Sequence, residues 1–305
     1  MWGAHGDGHQ GVFLKFRSKA SGGSSNLYAK AHIGSHNGSL REIVWLRWNL
    51  QIAKVDYLSG AGGDTNLNFV NLGVIARPFP HVHASNYVEP TLYERLRETF
   101  PECRGDPGQL QNLFPDDEEY RAHIDKHPAW AEFISGFHTE AFANYCLNQF
   151  SDVWAMEGCV IDPKLAHLTS FHEPRNVKSL RYLPNPLISS HELFVRLDFM
   201  QGRPGYSLPI HTDHRRRLMT MLIYFSDAND SVMEGGDLIL YGSKEGAVGD
   251  PEAAIRPQGN FMIAFPSTGR SFHSVAPIQA TRGPRNVVQV QLSSTVDAWR
   301  PAAAE

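Results

Sequence analysis

The chain divides into three sections by the pattern of its apolar and polar positions. From about residue 180 to 297 the pattern is that of strands. Leu193-Phe194-Val195-Arg196-Leu197-Asp198-Phe199 is one such run, and others occupy 218–225, 237–241, 261–265 and 286–292. Gly and Pro punctuate the gaps, as turns between strands require. Several strands of roughly five to eight residues in one block predict a sandwich or jelly roll. The section from 71 to 180 reads as helical. Leu92, Leu96 and Phe100 lie four apart and the pattern stops at Pro101, which predicts a helix over 88–100. Residues 116–150 read as one or two more helices. Asp116, Asp117, Glu118 and Glu119 place acidic charge at an N-terminus, where the helix dipole favours it. Pro128 is expected to start a second helix that buries Trp130, Phe133, Phe137 and Phe142 as core residues.

Residues 1–70 differ from the rest. They are rich in Gly, Ser, Asn and His, with Gly-Gly-Ser-Ser at 22–25 and Gly-Ala-Gly-Gly at 60–63. Between these breaks Leu46, Trp48, Leu50 and Ile52 alternate with Arg47, Asn49 and Gln51, a strand period. Val12, Leu14 and Phe16 make a shorter version. This section is read as an N-terminal appendage, and 71–305 as one domain with a helical part (71–180) and a β core (181–297). No internal repeat is visible.

Charge and composition narrow the function. The chain has 305 residues and a net charge of -4, with 28 Lys and Arg spread along it. That balance argues against nucleic-acid binding through bulk electrostatics. Three scattered cysteines (Cys103, Cys146 and Cys159) form no C-x-x-C pair, so neither a disulfide framework nor a thiolate zinc site is expected. A reducing compartment fits best. The N-terminus lacks a basic stretch followed by an apolar one, and no run approaches the ~18 apolar residues of a membrane span. A cytoplasmic location and no membrane partner are expected by elimination. The oligomeric state is not readable.

The candidate chemistry lies in Pro209-Ile210-His211-Thr212-Asp213-His214 and in Ser271-Phe272-His273-Ser274-Val275. A facial triad for non-haem Fe(II) takes two imidazoles and one carboxylate on one face of the metal and leaves the opposite face open. In an extended segment residues i and i+2 point to the same side, so His211 and Asp213 can share a metal. His273, after the strand at 261–265, supplies the third ligand. His-x-Asp alone is a weak signal: His123-Ile124-Asp125 has the same spacing. That pair lies in a stretch read as helix, where i and i+2 diverge by about 200°. His81-Val82-His83 is a further pair without a carboxylate at metal spacing.

The block 205–292 resembles the catalytic core of the prolyl-4-hydroxylase-like Fe(II)/2-oxoglutarate oxygenases. The matching pieces are Tyr206-x₄-His211-Thr212-Asp213, Leu222-Ile223-Tyr224-Phe225 and Glu234-Gly235-Gly236-Asp237-Leu238. They continue with Gly259-x-Phe261, Phe265-Pro266-Ser267 and His273-Ser274-Val275-Ala276-Pro277. Upstream, Arg77-Pro78-Phe79-Pro80-His81-Val82 is similar to the entry into this domain in bacterial members. The resemblance spans roughly 75–297.

The resemblance implies a double-stranded β-helix (jelly-roll, cupin-like) with flanking helices, and Fe(II), 2-oxoglutarate and O₂ as the reacting set. In that family the 1-carboxylate and 2-oxo group of 2-oxoglutarate chelate iron, and a basic residue opening the last strand binds the far carboxylate. Arg282 and Arg285 compete for this role. Arg285 directly precedes Asn286-Val287-Val288-Gln289-Val290 and is preferred, because a planar guanidinium at a strand start has a fixed direction. Tyr224 is a candidate hydroxyl donor to the same carboxylate, with a core aromatic as the equal alternative. The implied reaction decarboxylates 2-oxoglutarate to succinate and CO₂ and oxidises a C–H bond. Related halogenases replace the carboxylate ligand with a small residue, so Asp213 favours hydroxylation or another oxidation. A small molecule is the expected substrate. A protein side chain, or a metal-binding jelly roll without redox chemistry, are the alternatives. Tyr206 is read as lining the site or capping the barrel, Arg215-Arg216-Arg217 as a solvated loop or an attractor of anions, and Arg196 and Asp198 as substrate contacts or each other's partners.

Overall fold

The computed structural model describes residues 69–106, 108–170 and 191–299, together with the backbone of 14–15 and 30–31. The chain separates into two units, Met1–Ile52 and Ala53–Glu305. In the first, β1 (Leu14–Lys15) and β2 (Lys30–Ala31) pair antiparallel. The strand expected at 46–52 lies outside the described residues.

The second unit is built on two sheets. The larger has seven strands, six of them in the order β3 (Val82–Ser85), β11 (Phe261–Pro266), β8 (Arg217–Tyr224), β13 (Arg285–Ser294), β6 (Glu192–Gly202) and β4 (Gln111–Leu113). The seventh, β5 (His167–Leu168), pairs parallel with β6. The smaller has four strands in the order β10 (Ala247–Ile255), β9 (Leu238–Lys244), β12 (His273–Val275) and β7 (Leu208–His211). Apart from β5, every pairing is antiparallel. Apart from β9 and β10, which pair with each other in the smaller sheet, consecutive core strands from β6 to β13 alternate between the sheets, which is the double-stranded β-helix expected for 181–297.

The seven-stranded sheet has two apolar faces with different partners. Val195, Leu197 and Phe199 on β6, and Val288, Val290 and Leu292 on β13, belong to one cluster. That cluster also holds the helices α1 (Pro90–Glu98), α2 (Glu118–Lys126), α3 (Pro128–Phe137), α4 (Glu140–Gln149) and α5 (Ser151–Met156). Trp130, Phe133, Phe137 and Phe142 are all buried in it, as expected. Trp130 packs edge-on to Phe199 at 4.8 Å between ring centroids, and truncating either ring would cost about 3–5 kcal/mol. The opposite face of the same sheet carries Leu222, Tyr224, Ile263, Phe265 and Val287, packed with Leu238 and Leu240 of the smaller sheet. The alternate residues Arg196, Asp198, Gln289 and Gln291 lie on this inner face, where polar groups need partners.

Three expectations are corrected. The helical part 71–180 also supplies β3 and β4, which occupy the two edge positions of the seven-stranded sheet. Residues 116–150 hold three helices and a fourth follows at Ser151–Met156, because Pro128, Thr139 and Phe150 each interrupt the chain. The core holds a strand, β10, that the sequence does not announce. It is an edge strand exposed along most of its length and carries Pro251 at a register shift, so it has little apolar pattern to read.

Candidate functional site

The two short strands β7 and β12 set the site. Their register places His211 directly opposite His273, and the two imidazole centroids are 4.3 Å apart. Each ring is oriented the same way. His211 Nδ1–H donates to the carbonyl of Pro209 and His273 Nδ1–H to that of Ser271, both at 2.9 Å. A carbonyl only accepts, so each ring carries its proton on Nδ1 and leaves the Nε2 lone pair for another partner. Burial pushes the His273 imidazole pKa down, which favours the neutral, ligating form.

Asp213 lies just beyond the end of β7, not within a strand as the i, i+2 argument assumed. Its placement comes from contacts with the larger sheet. Oδ1 accepts from Arg217 Nη1 at 2.6 Å; Oδ2 accepts from Thr220 Oγ1 at 2.5 Å and Ser267 Oγ at 3.2 Å. Burial alone would push this carboxyl up. Arg217, then His273, Thr220 and His211, outweigh it and bring its pKa down to about 2. The group is a carboxylate at any ordinary pH.

One ligand atom from each of His211, Asp213 and His273 lies within 4.8 Å of the others. Among the described residues this is the group of His, Cys, Asp and Glu side chains so arranged. Two neutral imidazoles and a carboxylate are a nitrogen and oxygen donor set that suits Fe(II), and three protein donors leave further coordination positions open. The decoys serve other ends. His123 is on α2, packed against His127, Trp130 and Phe199. His83 stacks on Phe261, and buried His81 bonds the Phe79 carbonyl.

The three groups open on a cavity of about 260 Å³ between the sheets. Arg285 lines it from the first position of β13 and is 3 % exposed. Its Nε donates to the Gly236 carbonyl at 2.8 Å and its Nη2 to the Tyr224 hydroxyl at 3.1 Å. Burial pushes the Tyr224 hydroxyl pKa up, so it stays a donor. Gly235 and Gly236 explain the Glu-Gly-Gly-Asp motif. Both have φ of +77°, and a Cβ on Gly235 would sit 1.8 Å from the Pro277 carbonyl oxygen. Only glycine brings the Gly236 carbonyl to Arg285 there. Arg282 lines a different cavity, with Tyr93 and Asp227. The structure therefore places Arg285 in the cavity of the triad, with Tyr224 as its hydrogen-bond partner, and leaves Arg282 apart. Tyr206 also lines the site cavity.

Residues 196–290 match the family model described as the 2OG-Fe(II) oxygenase superfamily. Over these residues the chain is similar to that superfamily. Enzymes of this superfamily are 2-oxoglutarate-dependent oxidoreductases that use Fe(II), 2-oxoglutarate and O₂, and the donor set above fits that metal. No curated protein matches. Among solved structures, the chain is similar to a prolyl 4-hydroxylase from Phytophthora capsici (14% identity, TM-score 0.41, 70% of this chain, 58% of that one). It is also similar to a 2OG-Fe(II) family oxidoreductase from Burkholderia pseudomallei (11%, TM-score 0.42, 73% and 88%). A prolyl-4-hydroxylase from Pseudomonas putida matches at 13% identity and TM-score 0.35, over 70% and 91%. This chain thus spans a little over half of the Phytophthora chain. Among the described residues, no helix is long and apolar enough to cross a membrane.

Sequence reasoning missed Thr220 and Ser267 and treated Arg217 as part of a loop run. Thr220 and Ser267 are small hydroxyl residues with no fixed spacing to Asp213, so no motif marks them. Arg217 could have been found as the residue opening the strand that follows the His-x-Asp segment.

Proposed function

We propose that this oxygenase oxidises a C–H bond of a small-molecule substrate, with His211, Asp213 and His273 as its iron ligands and Arg285 and Tyr224 as its 2-oxoglutarate anchor. The observation that carries this reading is the convergence of the three ligand atoms, within 4.8 Å of one another, in a cavity that also holds a buried guanidinium. Bound iron would supply the oxidising chemistry, with 2-oxoglutarate yielding succinate and CO₂. The chain's own residues supply position and charge. The backbone carbonyls of Pro209 and Ser271 hold the imidazole tautomers, and Thr220, Ser267 and Arg217 hold the carboxylate. Arg285 offers a charged donor, and Tyr224 a neutral one, to a carboxylate entering between the sheets. The apolar walls of Leu222, Leu238 and Val287 exclude water from that carboxylate's path.

The cavity volume supports a small molecule over a folded protein surface, since only a compact group enters about 260 Å³. The test is succinate formation from 2-oxoglutarate by the Fe(II)-loaded enzyme under O₂, screened against metabolites and against peptides. Stimulation by metabolites is expected. Stimulation by peptides alone would transfer the activity to protein side chains.

A further inference from the structure

We infer that the Tyr206 hydroxyl is a further donor to 2-oxoglutarate, joining Arg285 at its far carboxylate; this rests on the site reading above. Tyr206 lines the same cavity as the triad and Arg285. Its side chain is 1 % exposed, and among the described residues its hydroxyl has no hydrogen-bond partner. A buried hydroxyl without a partner is destabilising, because it has given up water and received nothing in exchange. In the wall of a cavity, such a group points to a ligand as the partner.

The fold holds the Tyr206 ring beside Arg285. Register sets Gly202 of β6 directly opposite Arg285 of β13. The ring lies on that glycine: a Cβ there would sit 2.7 Å from Tyr206 Cδ1 and 3.0 Å from Ile278 Cδ1. Backbone pairing fixes the same contact. Gly205 N–H donates to the Ile278 carbonyl at 2.8 Å, and Ile278 N–H donates to the Tyr206 carbonyl at 2.9 Å. Ile278 in turn reaches the turn that serves Arg285, since a Cβ on Gly236 would lie 3.2 Å from Ile278 Cγ1 and 3.5 Å from Arg285 Cδ. Met233 and Val275 complete the apolar cluster around the ring. The ring is thus held on its apolar faces, and its orientation does not depend on a bond to the hydroxyl.

The chemistry of the hydroxyl suits a carboxylate. Burial pushes its pKa up to about 12, and Arg285 and then Tyr224 are the other groups that act on it. It therefore keeps its proton at ordinary pH and is available as a donor. Tyr224 differs, since its hydroxyl oxygen already accepts from Arg285 Nη2 at 3.1 Å. An ionised carboxylate only accepts and has several lone-pair sites, so it can take a guanidinium and a phenol together. Bonds of this kind to a charged acceptor are stronger than those between neutral groups, and a water-excluded site strengthens them further.

The experiment uses the full-length Fe(II)-loaded protein with O₂ excluded. Calorimetric titration with 2-oxoglutarate compares the natural protein with Tyr206→Phe, and thermal unfolding is followed for both with and without 2-oxoglutarate. Tyr206→Phe should weaken 2-oxoglutarate binding about ten- to a hundredfold, the usual effect of removing a hydrogen bond to a charged group. Its Fe(II) content should be unchanged. Without 2-oxoglutarate its Tm should be no lower than that of the natural protein, since an unpartnered hydroxyl holds nothing in the ligand-free fold. The rise in Tm on adding 2-oxoglutarate should be smaller in the variant. Unchanged 2-oxoglutarate affinity in a folded, iron-loaded Tyr206→Phe protein would overturn the inference. So would a variant that unfolds or loses stability without ligand, because the hydroxyl would then have a structural task. Failure of 2-oxoglutarate to bind the natural protein would instead overturn the reading of the site on which the inference rests.

Discussion

Asp213 accepts from a guanidinium and two hydroxyls that come from two places in the larger sheet, Arg217 and Thr220 on β8 and Ser267 just after β11. Its depressed pKa means that protons compete with a metal for this carboxylate only near pH 2. Arg217 is the largest cause of that depression, so Arg217→Gln should raise the carboxyl pKa. The loss in Fe(II) affinity at neutral pH should be about 10–100-fold, the usual effect of removing an outer partner of a ligand. A competition titration against a metallochromic chelator, run from pH 8 downward, checks both, and unchanged affinity at all pH values would contradict the role. Arg285→Ala should weaken 2-oxoglutarate binding by on the order of a hundredfold, because a desolvated carboxylate loses a charge-assisted partner. Arg282→Ala should change it little, because that residue lines another cavity. Isothermal titration with Fe(II) present and O₂ excluded separates the two. At this scale the sequence was informative where residue type and spacing coincide, as in His211 and Asp213. It was silent on Thr220 and Ser267, which meet Asp213 only through the fold.

Element-level legibility followed the strength of the apolar pattern. The buried strands β6, β8, β11 and β13 and the helix opened by Pro128 were readable because each has a partner for its apolar face. The short strands β7 and β12, and the exposed edge strand β10, were not, because three or four residues or a solvent-facing row carry no period. Yet β7 and β12 position both histidines. The turn at 235–236 is where an element is most constrained. Gly235→Ala combines a left-handed backbone with a clash against the Pro277 carbonyl, and should destabilise by roughly 3 kcal/mol or more. For a domain of this size that lowers Tm by roughly 6–12 °C, readable by calorimetry. Helix α2 carries a pH effect. Burial, with His127 adding to it, pushes half-buried His123 down to about 4 from its ordinary 6.5, and its Nε2 has no hydrogen-bond partner. The unfolded chain therefore takes up this proton first. Stability is complete above about 6.5 and falls as pH drops toward 4. The ring keeps partial solvent contact, so the loss is on the order of 1 kcal/mol. Urea unfolding at pH 7 and pH 5 should show this loss in the natural protein and not in His123→Leu.

At the scale of the whole molecule, the site is a product of two sheets facing each other. One sheet brings the histidines, and the other brings Arg285, Tyr224 and the groups that hold Asp213. Neither sheet contains the site alone, which is why an ordered set of short motifs, and no single one, marked it in the sequence. We propose that residues 71–305 suffice for this arrangement. A chain lacking residues 1–65 should remain folded and bind iron, and loss of metal from a soluble truncated protein would show that the N-terminal section supports the core. The central claim is tested most directly by anaerobic equilibrium titration with Fe(II) and 2-oxoglutarate, with metal content read per folded chain. The account predicts one Fe(II) per chain and 2-oxoglutarate binding that requires it. His211→Ala, Asp213→Ala and His273→Ala should each lose both, while His123→Ala and Asp125→Ala keep both. Folded triad variants that retain the metal, or His123 and Asp125 variants that lose it, would contradict the account.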